Sequence, residues 1–131
     1  MPRTYEEFIK TWKKINDSRT KFAYLTSIRY VLQEKIFSVE VPPACLNDIL
    51  TVCNENLANA NNVKDIVEIL KIVSTCRRFR LTSSFATPTE KAMRAQLFRD
   101  LLIKGNLEDE RLHETIELLS ATYEVECNLI D

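Results

Sequence analysis

Four cysteines and a single histidine are the side chains of this 131-residue chain best suited to metal binding or nucleophilic chemistry. No two of the cysteines (Cys45, Cys53, Cys76 and Cys127) have the Cys-x-x-Cys spacing that is typical of structural zinc sites. Catalysis by a cysteine–histidine pair would need His113 beside a thiol in space, and nothing in the sequence indicates this. We therefore interpret the cysteines as reduced thiols that fill the core of a cytosolic protein.

Three arginines surround one phenylalanine in the stretch Arg77-Arg78-Phe79-Arg80. Two interpretations stay open: the arginines bind phosphate or an acidic partner, or they end a helix whose last carbonyl groups they complement, with Phe79 filling the corner. The net charge is −1 and no array of aromatic residues lies beside the arginines, so the sequence favours the corner over a nucleic-acid site. We expect a mixed case, in which one arginine stabilises the corner and the others face solvent or a partner.

The composition is that of a soluble globular domain, with 45% hydrophobic and 28% charged residues. One glycine is too few for the phosphate-binding loops of nucleotide enzymes, and it argues against a β-fold rich in tight turns. No apolar run reaches the length of a membrane span, and no signal peptide is visible. We expect a cytoplasmic domain that is the C-terminal part of a longer protein.

Apolar residues recur at helical spacing along almost the whole chain, and no segment alternates as a strand does. The patterns Thr4-x-x-Glu7 and Thr87-Pro88-Thr89-Glu90 predict capped helix starts, and Asn62 is expected to cap another helix. Gly105 is expected to end a helix in a left-handed conformation. The sequence therefore predicts an all-α fold: one domain over residues 1–131, with six or seven helices in an antiparallel bundle or a short solenoid-like stack.

The segment from Val63 to Val73 is apolar on more than one face, which predicts a helix at the centre of the domain. The last helix is expected to begin with the acids Glu108, Asp109 and Glu110, which suit the positive end of its dipole. We expect the core to contain six large side chains from along the chain: Trp12, Phe37, Leu70, Phe79, Leu97 and Phe98.

Catalysis and cofactor binding are not indicated, because the carboxylates lie opposite the apolar stripes and His113 lies among charged residues of one helix. Binding to another protein needs exposed side chains that the fold itself does not use. The candidate partner-binding residues are the basic side chains at the corner and off the next apolar stripe: Arg77, Arg80, Lys91, Arg94 and Arg99. In the alternative interpretation these residues only keep the surface soluble, and the interface lies elsewhere.

The order of several motifs resembles the C-terminal, Monad-binding domain family of RNA polymerase II-associated protein 3, which sperm-associated antigen 1 also carries. The shared features are Arg78-Phe79 at the end of a hydrophobic helix, a hydroxyl-x-x-Glu start from Thr87 to Glu90, and Leu97-Phe98 on the next helix. Earlier pieces agree, among them YLTSI and the IFSVEV that precedes a Leu-x-x-Ile-Leu helix. The resemblance extends over nearly the whole chain.

Within that family the chain most resembles a branch of dynein arm assembly factors. This branch pairs a Phe with a Trp four residues later, as Phe8 and Trp12 do here. It also has an Arg-Phe-x-Leu, matched by Arg78 to Leu81, and a last helix that closes in Tyr-x-Val, matched by Tyr123 and Val125.

The resemblance implies a non-catalytic α-helical protein-interaction domain. In the dynein-arm branch it would be an adaptor for assembly or attachment of axonemal dynein arms, with dynein subunits or assembly factors as partners, in the cytoplasm and the cilium or flagellum axoneme. In the alternative it would be a co-chaperone domain that docks on RuvB-like AAA+ ATPases. A nucleic-acid-binding helical module is a distant alternative, no membrane partner is expected, and self-association stays open.

Overall fold

The computed structural model describes residues 1–105 and 110–125, and all regular secondary structure in these ranges is helical. Two short 3₁₀ turns, Arg29–Val31 and Ala60–Asn62, and a π-helical segment, Leu32–Ile36, join longer helices. The prediction of an all-α fold with six or seven helices is confirmed for the described residues. Glu108, Asp109 and Cys127 lie outside them. The α-helices are α1 (Tyr5–Lys14), α2 (Ser18–Ile28), α3 (Pro43–Glu55), α4 (Val63–Ser74), α5 (Phe79–Ser84), α6 (Pro88–Gly105) and α7 (Glu110–Thr122).

Two helices begin with the side-chain caps that the sequence predicts. The Thr4 hydroxyl accepts a hydrogen bond from the Glu7 amide at 3.2 Å, at the start of α1. At the start of α6 the Thr87 hydroxyl accepts from the Glu90 amide at 3.1 Å, and the Glu90 carboxylate accepts from the Thr87 amide at 2.9 Å. The second pair is a complete capping box, which satisfies two of the amides that a helix N-terminus leaves without a partner.

The expected cap at Asn62 is wrong. Asn62 lies at the start of α4, but its side chain forms no capping hydrogen bond there. Its amide nitrogen instead donates to the Asn56 carbonyl at 2.9 Å. The side chain thus stabilises the link between α3 and α4, because it satisfies a carbonyl just beyond the end of α3.

The expected role of Gly105 is also wrong. Gly105 is the last residue of α6, as predicted, but its φ is not positive. A Cβ atom at this position would lie 2.8 Å from Cδ1 of Ile116 on α7, which is closer than carbon atoms pack. A larger residue here would require the Ile116 side chain to move, so the small size of Gly105 suits the contact between α6 and α7 rather than a left-handed turn.

The core is one continuous cluster of buried apolar side chains with α4 at its centre, as predicted. α4 contacts α2, α5, α6 and α7, together with the 3₁₀ turns and the π-helical segment. Because α4 is covered on several sides, its buried residues extend around more than a normal stripe. The six side chains expected in the core are all buried. No helix in the described ranges combines the length and apolar character needed to cross a bilayer.

Two groups of aromatic rings occupy opposite parts of the sequence. The N-terminal aromatic cluster consists of Tyr5, Phe8, Trp12, Tyr24 and Phe37, with Phe8 in contact with each of the other four rings. The C-terminal aromatic cluster consists of Phe79, Phe98 and Tyr123. The centre of the Tyr123 ring lies 4.8 Å from that of Phe79 and 5.3 Å from that of Phe98. The second cluster joins α5, α6 and the residue that follows α7.

Candidate functional site

The corner that contains the arginines lies between α4 and α5. α4 ends at Ser74, where the hydroxyls of Ser74 and Thr75 each donate to the carbonyl three residues earlier, at 2.7 Å and 2.6 Å. Such local bonds compete with continuation of a helix. Arg78 then adopts a left-handed conformation, with φ at 58°, and α5 begins with the next residue. The backbone of the stretch from Arg77 to Arg80 therefore forms a corner between two helices, as one of the two interpretations of the sequence predicts.

The inner side of α5 is anchored to the core by Phe79, Thr82 and Ser83, all of which are buried. Phe79 packs edge-to-face against Tyr123. This geometry stabilises a pair of aromatic rings by more than the burial of their surface area does. The Thr82 hydroxyl donates to the Val41 carbonyl at 2.7 Å. These contacts hold a six-residue helix that is too short to be stable by itself.

The outer side of α5 exposes two large apolar side chains. Leu81 is 54% exposed and Phe85 is 63% exposed, and their spacing of four residues places them on one face of the helix. Arg77, Arg78 and Arg80 are exposed beside them, and the chain from Cys76 to Thr89 contains no acidic residue. We call Arg77, Arg78, Arg80, Leu81 and Phe85 the α5 patch.

Sequence reasoning found the arginines of this patch but missed its apolar part. Leu81 entered only as part of a family motif, and Phe85 lay within a run of small hydroxyl residues. The four-residue spacing between them was the available signal. This spacing indicates an exposed apolar pair only when Phe79 and Thr82 are known to face inward, because their direction defines the outer side of α5.

Arg94 was expected on the surface as a partner contact, and this expectation is wrong. Arg94 is buried at 5% exposure, with its Nη1 donating to the hydroxyl and the carbonyl oxygen of Ser83 at 2.8 Å and 3.2 Å. The Ser83 carbonyl lies at the C-terminal end of α5, where the helix dipole places partial negative charge. This environment compensates a cation that an apolar core would otherwise exclude.

The other predicted partner-binding residues are all exposed, but they do not form one group along α6. Lys91 lies in the first turn of α6, and Arg99 lies about 12 Å further along the helix axis at 1.5 Å per residue. The guanidinium of Arg99 donates to the Gln96 side chain at 3.2 Å. Arg94, which lies between them in the sequence, points inward. Of the five predicted partner-binding residues, Arg77 and Arg80 alone belong to the α5 patch.

A cleft of about 890 Å³ lies between α2 and the link from α3 to α4. Its mouth is bordered by Arg29 and Tyr30, which interact with acidic residues of α4. Arg29 forms ion pairs with Asp65 at 3.7 Å and with Glu68, and its guanidinium lies 4.8 Å from the centre of the Tyr30 ring. The Tyr30 hydroxyl donates to Glu68 at 3.0 Å. Arg29, Asp65 and Glu68 are thus already paired within the domain.

The chemistry-bearing residues do not assemble into a reactive centre in the described ranges. Burial raises the pKa of Cys53 and Cys76 to about 12, and burial together with the Asp48 charge does the same for Cys45. Such thiols are protonated at neutral pH and are poor nucleophiles. His113 pairs with Glu117 one turn away on α7, at 2.6 Å. No group of three or more metal-ligating side chains occurs among the described residues.

The N-terminal two thirds of the chain match a known family. The sequence model described as the potential Monad-binding region of RPAP3, or RNA polymerase II-associated protein 3, matches residues 1–91. The chain belongs to this family. A curated member, RNA polymerase II-associated protein 3 of Xenopus laevis, is 31% identical over 80 residues, which make up 61% of this chain and 12% of that protein.

A solved structure of the same family shares the fold. The NMR structure of the C-terminal domain of the human RPAP3 protein aligns with a TM-score of 0.71 at 22% identity, covering 94% of this chain and 88% of that domain. The RPAP3 family resemblance that the motifs indicate is therefore confirmed. The family match ends at Lys91, so it includes the α5 patch but stops before Arg94.

Proposed function

We propose that residues 1–131 form a non-catalytic protein-docking domain that binds its partner through the α5 patch. The observation that carries this proposal is the pair of exposed apolar side chains, Leu81 and Phe85, among arginines with no acidic neighbour. Aromatic side chains beside arginine are typical of the centres of protein interfaces. The patch lies within the stretch that matches a family described by its potential binding to a protein, Monad.

The partner that best fits this family is a component of a chaperone-type assembly complex. The family resemblance implies a co-chaperone domain that docks on RuvB-like AAA+ ATPases, and the match to RPAP3 supports that function over the dynein function. An acidic surface on the partner would complement the arginines, which would mainly raise the association rate and set the orientation. We propose a cytoplasmic location on the same ground.

A second candidate function is assembly of axonemal dynein arms. Two observations favour it: the stacked pair of Phe8 and Trp12, whose centroids lie 5.3 Å apart, and a last helix that leads into Tyr123-x-Val125. The second feature lies beyond the residues that match the RPAP3 family model.

Binding to purified proteins tests both functions. The full chain would be immobilised and exposed in turn to RuvB-like ATPases, Monad and axonemal dynein intermediate chain. We expect saturable binding to the ATPases. The double variant Leu81→Ser/Phe85→Ser should weaken it at least tenfold, about the effect of losing an apolar anchor. Arg77→Glu/Arg80→Glu should slow association and reduce its dependence on salt.

Matched variants separate the patch from general surface effects. Leu118→Ser changes an exposed leucine on α7, which is 73% exposed, and Arg99→Glu changes an exposed arginine on α6. Both should bind as the unchanged chain does. If the α5 variants keep their fold and bind with unchanged affinity, the patch is not the interface. Binding to dynein intermediate chain without binding to the ATPases would favour the second candidate.

A further inference from the structure

Arg94 is a buried cation that is directed at a single residue of a neighbouring helix. Its Nη1 donates both to the hydroxyl and to the carbonyl oxygen of Ser83, which is itself buried. Within the described residues it forms no ion pair with a carboxylate, while Glu90 and Glu124 act on it only at longer range. Burying a charge is costly unless it is hydrogen-bonded, and the two bonds to Ser83 offset part of this cost.

The helix that Arg94 holds has little stability of its own. α5 has six residues, no side-chain cap at its start, and a first turn entered from Arg78 in a left-handed conformation, which is unfavourable for a residue with a side chain. Phe79 anchors its beginning and Thr82 its middle. Its C-terminal turn is closed by weak bonds from the amides of Phe85 and Ala86, at 3.2 Å and 3.3 Å, and Arg94 is the side-chain anchor at that end.

We propose that Arg94 is a positioning residue for partner binding: it holds the C-terminal turn of α5 so that Phe85 points outward beside Leu81. This inference rests on the proposed function, in which the α5 patch binds the partner. Arg94 does not touch the partner, because it is buried beneath α5. The family match ends three residues before Arg94, so this residue lies outside the matched stretch.

A lysine at position 94 should retain only part of the effect of Arg94 on the position of α5. One guanidinium nitrogen, Nη1, reaches both oxygens of Ser83 here, and the planar guanidinium is weakly hydrated. A lysine ammonium keeps the charge but is a flexible, strongly hydrated point donor. Methionine keeps much of the length and the apolar stem while removing both hydrogen bonds and the charge.

Amide hydrogen exchange in the free protein tests the positioning role. Arg94→Met should speed exchange at Phe85 and Ala86 at least tenfold, as expected when a buried charged hydrogen bond is lost, while the amides of α1 change little. Arg94→Lys should retain part of the protection. Ser83→Ala/Arg94→Met should be no worse than Arg94→Met, because the two residues act as one unit. The matched control, Arg99→Met, should leave α5 unchanged.

Affinity for a purified RuvB-like ATPase, measured on the same variants, links position to binding. Arg94→Met should weaken binding several-fold, and Arg94→Lys should restore part of it. Equal acceleration of exchange in all helices, or unchanged exchange at Phe85 and Ala86, overturns the inference. So does a loosened α5 that binds with unchanged affinity, and in that case the proposed function stands.

The inference can still be tested if the unchanged chain does not bind the ATPase or if Arg94→Met does not fold. If the unchanged chain does not bind the ATPase, the proposed function is wrong for that partner, and the exchange data alone decide whether Arg94 positions α5. If Arg94→Met does not fold, Arg94→Lys and Ser83→Ala give the same comparison with smaller expected changes.

Discussion

The two aromatic clusters differ in their local contacts: the N-terminal one contains stacked rings of a single helix, and the C-terminal one contains none. In the N-terminal aromatic cluster, Phe8 and Trp12 lie one helical turn apart and stack at 5.3 Å. The C-terminal aromatic cluster brings together three rings from residues 79, 98 and 123, and none of these pairs shares a helix. Helical spacing alone produces the first contact, whereas only the packing of α5, α6 and α7 produces the second.

The clusters also differ in how their polar atoms are satisfied. The Tyr123 hydroxyl is buried and donates to the Leu70 carbonyl of α4 at 2.7 Å. The indole nitrogen of Trp12 is buried without a partner among the described residues. The C-terminal aromatic cluster therefore combines ring packing with a directional bond to the central helix, which makes it the more specific of the two.

Loss of Phe79 should have the largest effect on stability. Phe79→Ala removes a buried ring from contact with Tyr123 and releases the start of α5, so unfolding should become easier by about 3–5 kcal/mol. Denaturant unfolding followed by circular dichroism measures this. Phe85→Ala, six residues later on the exposed side, should cost less than about 0.5 kcal/mol. Equal losses for the two variants would mean that the inner and outer sides of α5 are assigned the wrong way round.

Loss of the Tyr123 hydroxyl should have an intermediate effect. Tyr123→Phe keeps the ring but removes the buried bond to Leu70, which should cost about 1 kcal/mol. Tyr24 is the matched control in the N-terminal aromatic cluster, since it is half-buried and its hydroxyl donates to no described residue. Tyr24→Phe should leave the midpoint of unfolding unchanged. A cost for Tyr24→Phe as large as that for Tyr123→Phe would remove the distinction between the clusters.

Loss of the cation beside Trp12 should have the smallest effect. The Lys21 ammonium lies 5.1 Å from the centre of the Trp12 ring, a contact worth about 0.5–1 kcal/mol near a surface. Lys21→Met should lower the free energy of unfolding by no more than this, and Lys21→Arg should retain most of it. Thermal unfolding at low and high salt would detect the change, and a loss above about 2 kcal/mol would show that Lys21 has a further structural role.

Much of the fold could be predicted from local patterns. The caps at Thr4 and Thr87 and the central position of α4 follow from residue types and their spacing. The caps depend on contacts within one helical turn, and the position of α4 follows from an apolar surface wider than one stripe; the sequence specifies both features directly. The candidate site was predicted only in part, because Arg77 and Arg80 stand out by their charge while Leu81 and Phe85 do not stand out at all.

The sequence by itself determined where helices begin, which stripes are apolar and to which family the chain belongs. Only the tertiary structure decided that Arg94 points inward, that Asn62 stabilises a link and that Gly105 lies at a close helix contact. The physical reason is the same in each case. The direction of the Arg94 and Asn62 side chains depends on their partners Ser83 and Asn56, which lie in other segments. In the same way, the space available at Gly105 depends on Ile116 of another helix. The spacing within one helix carries no information about that partner.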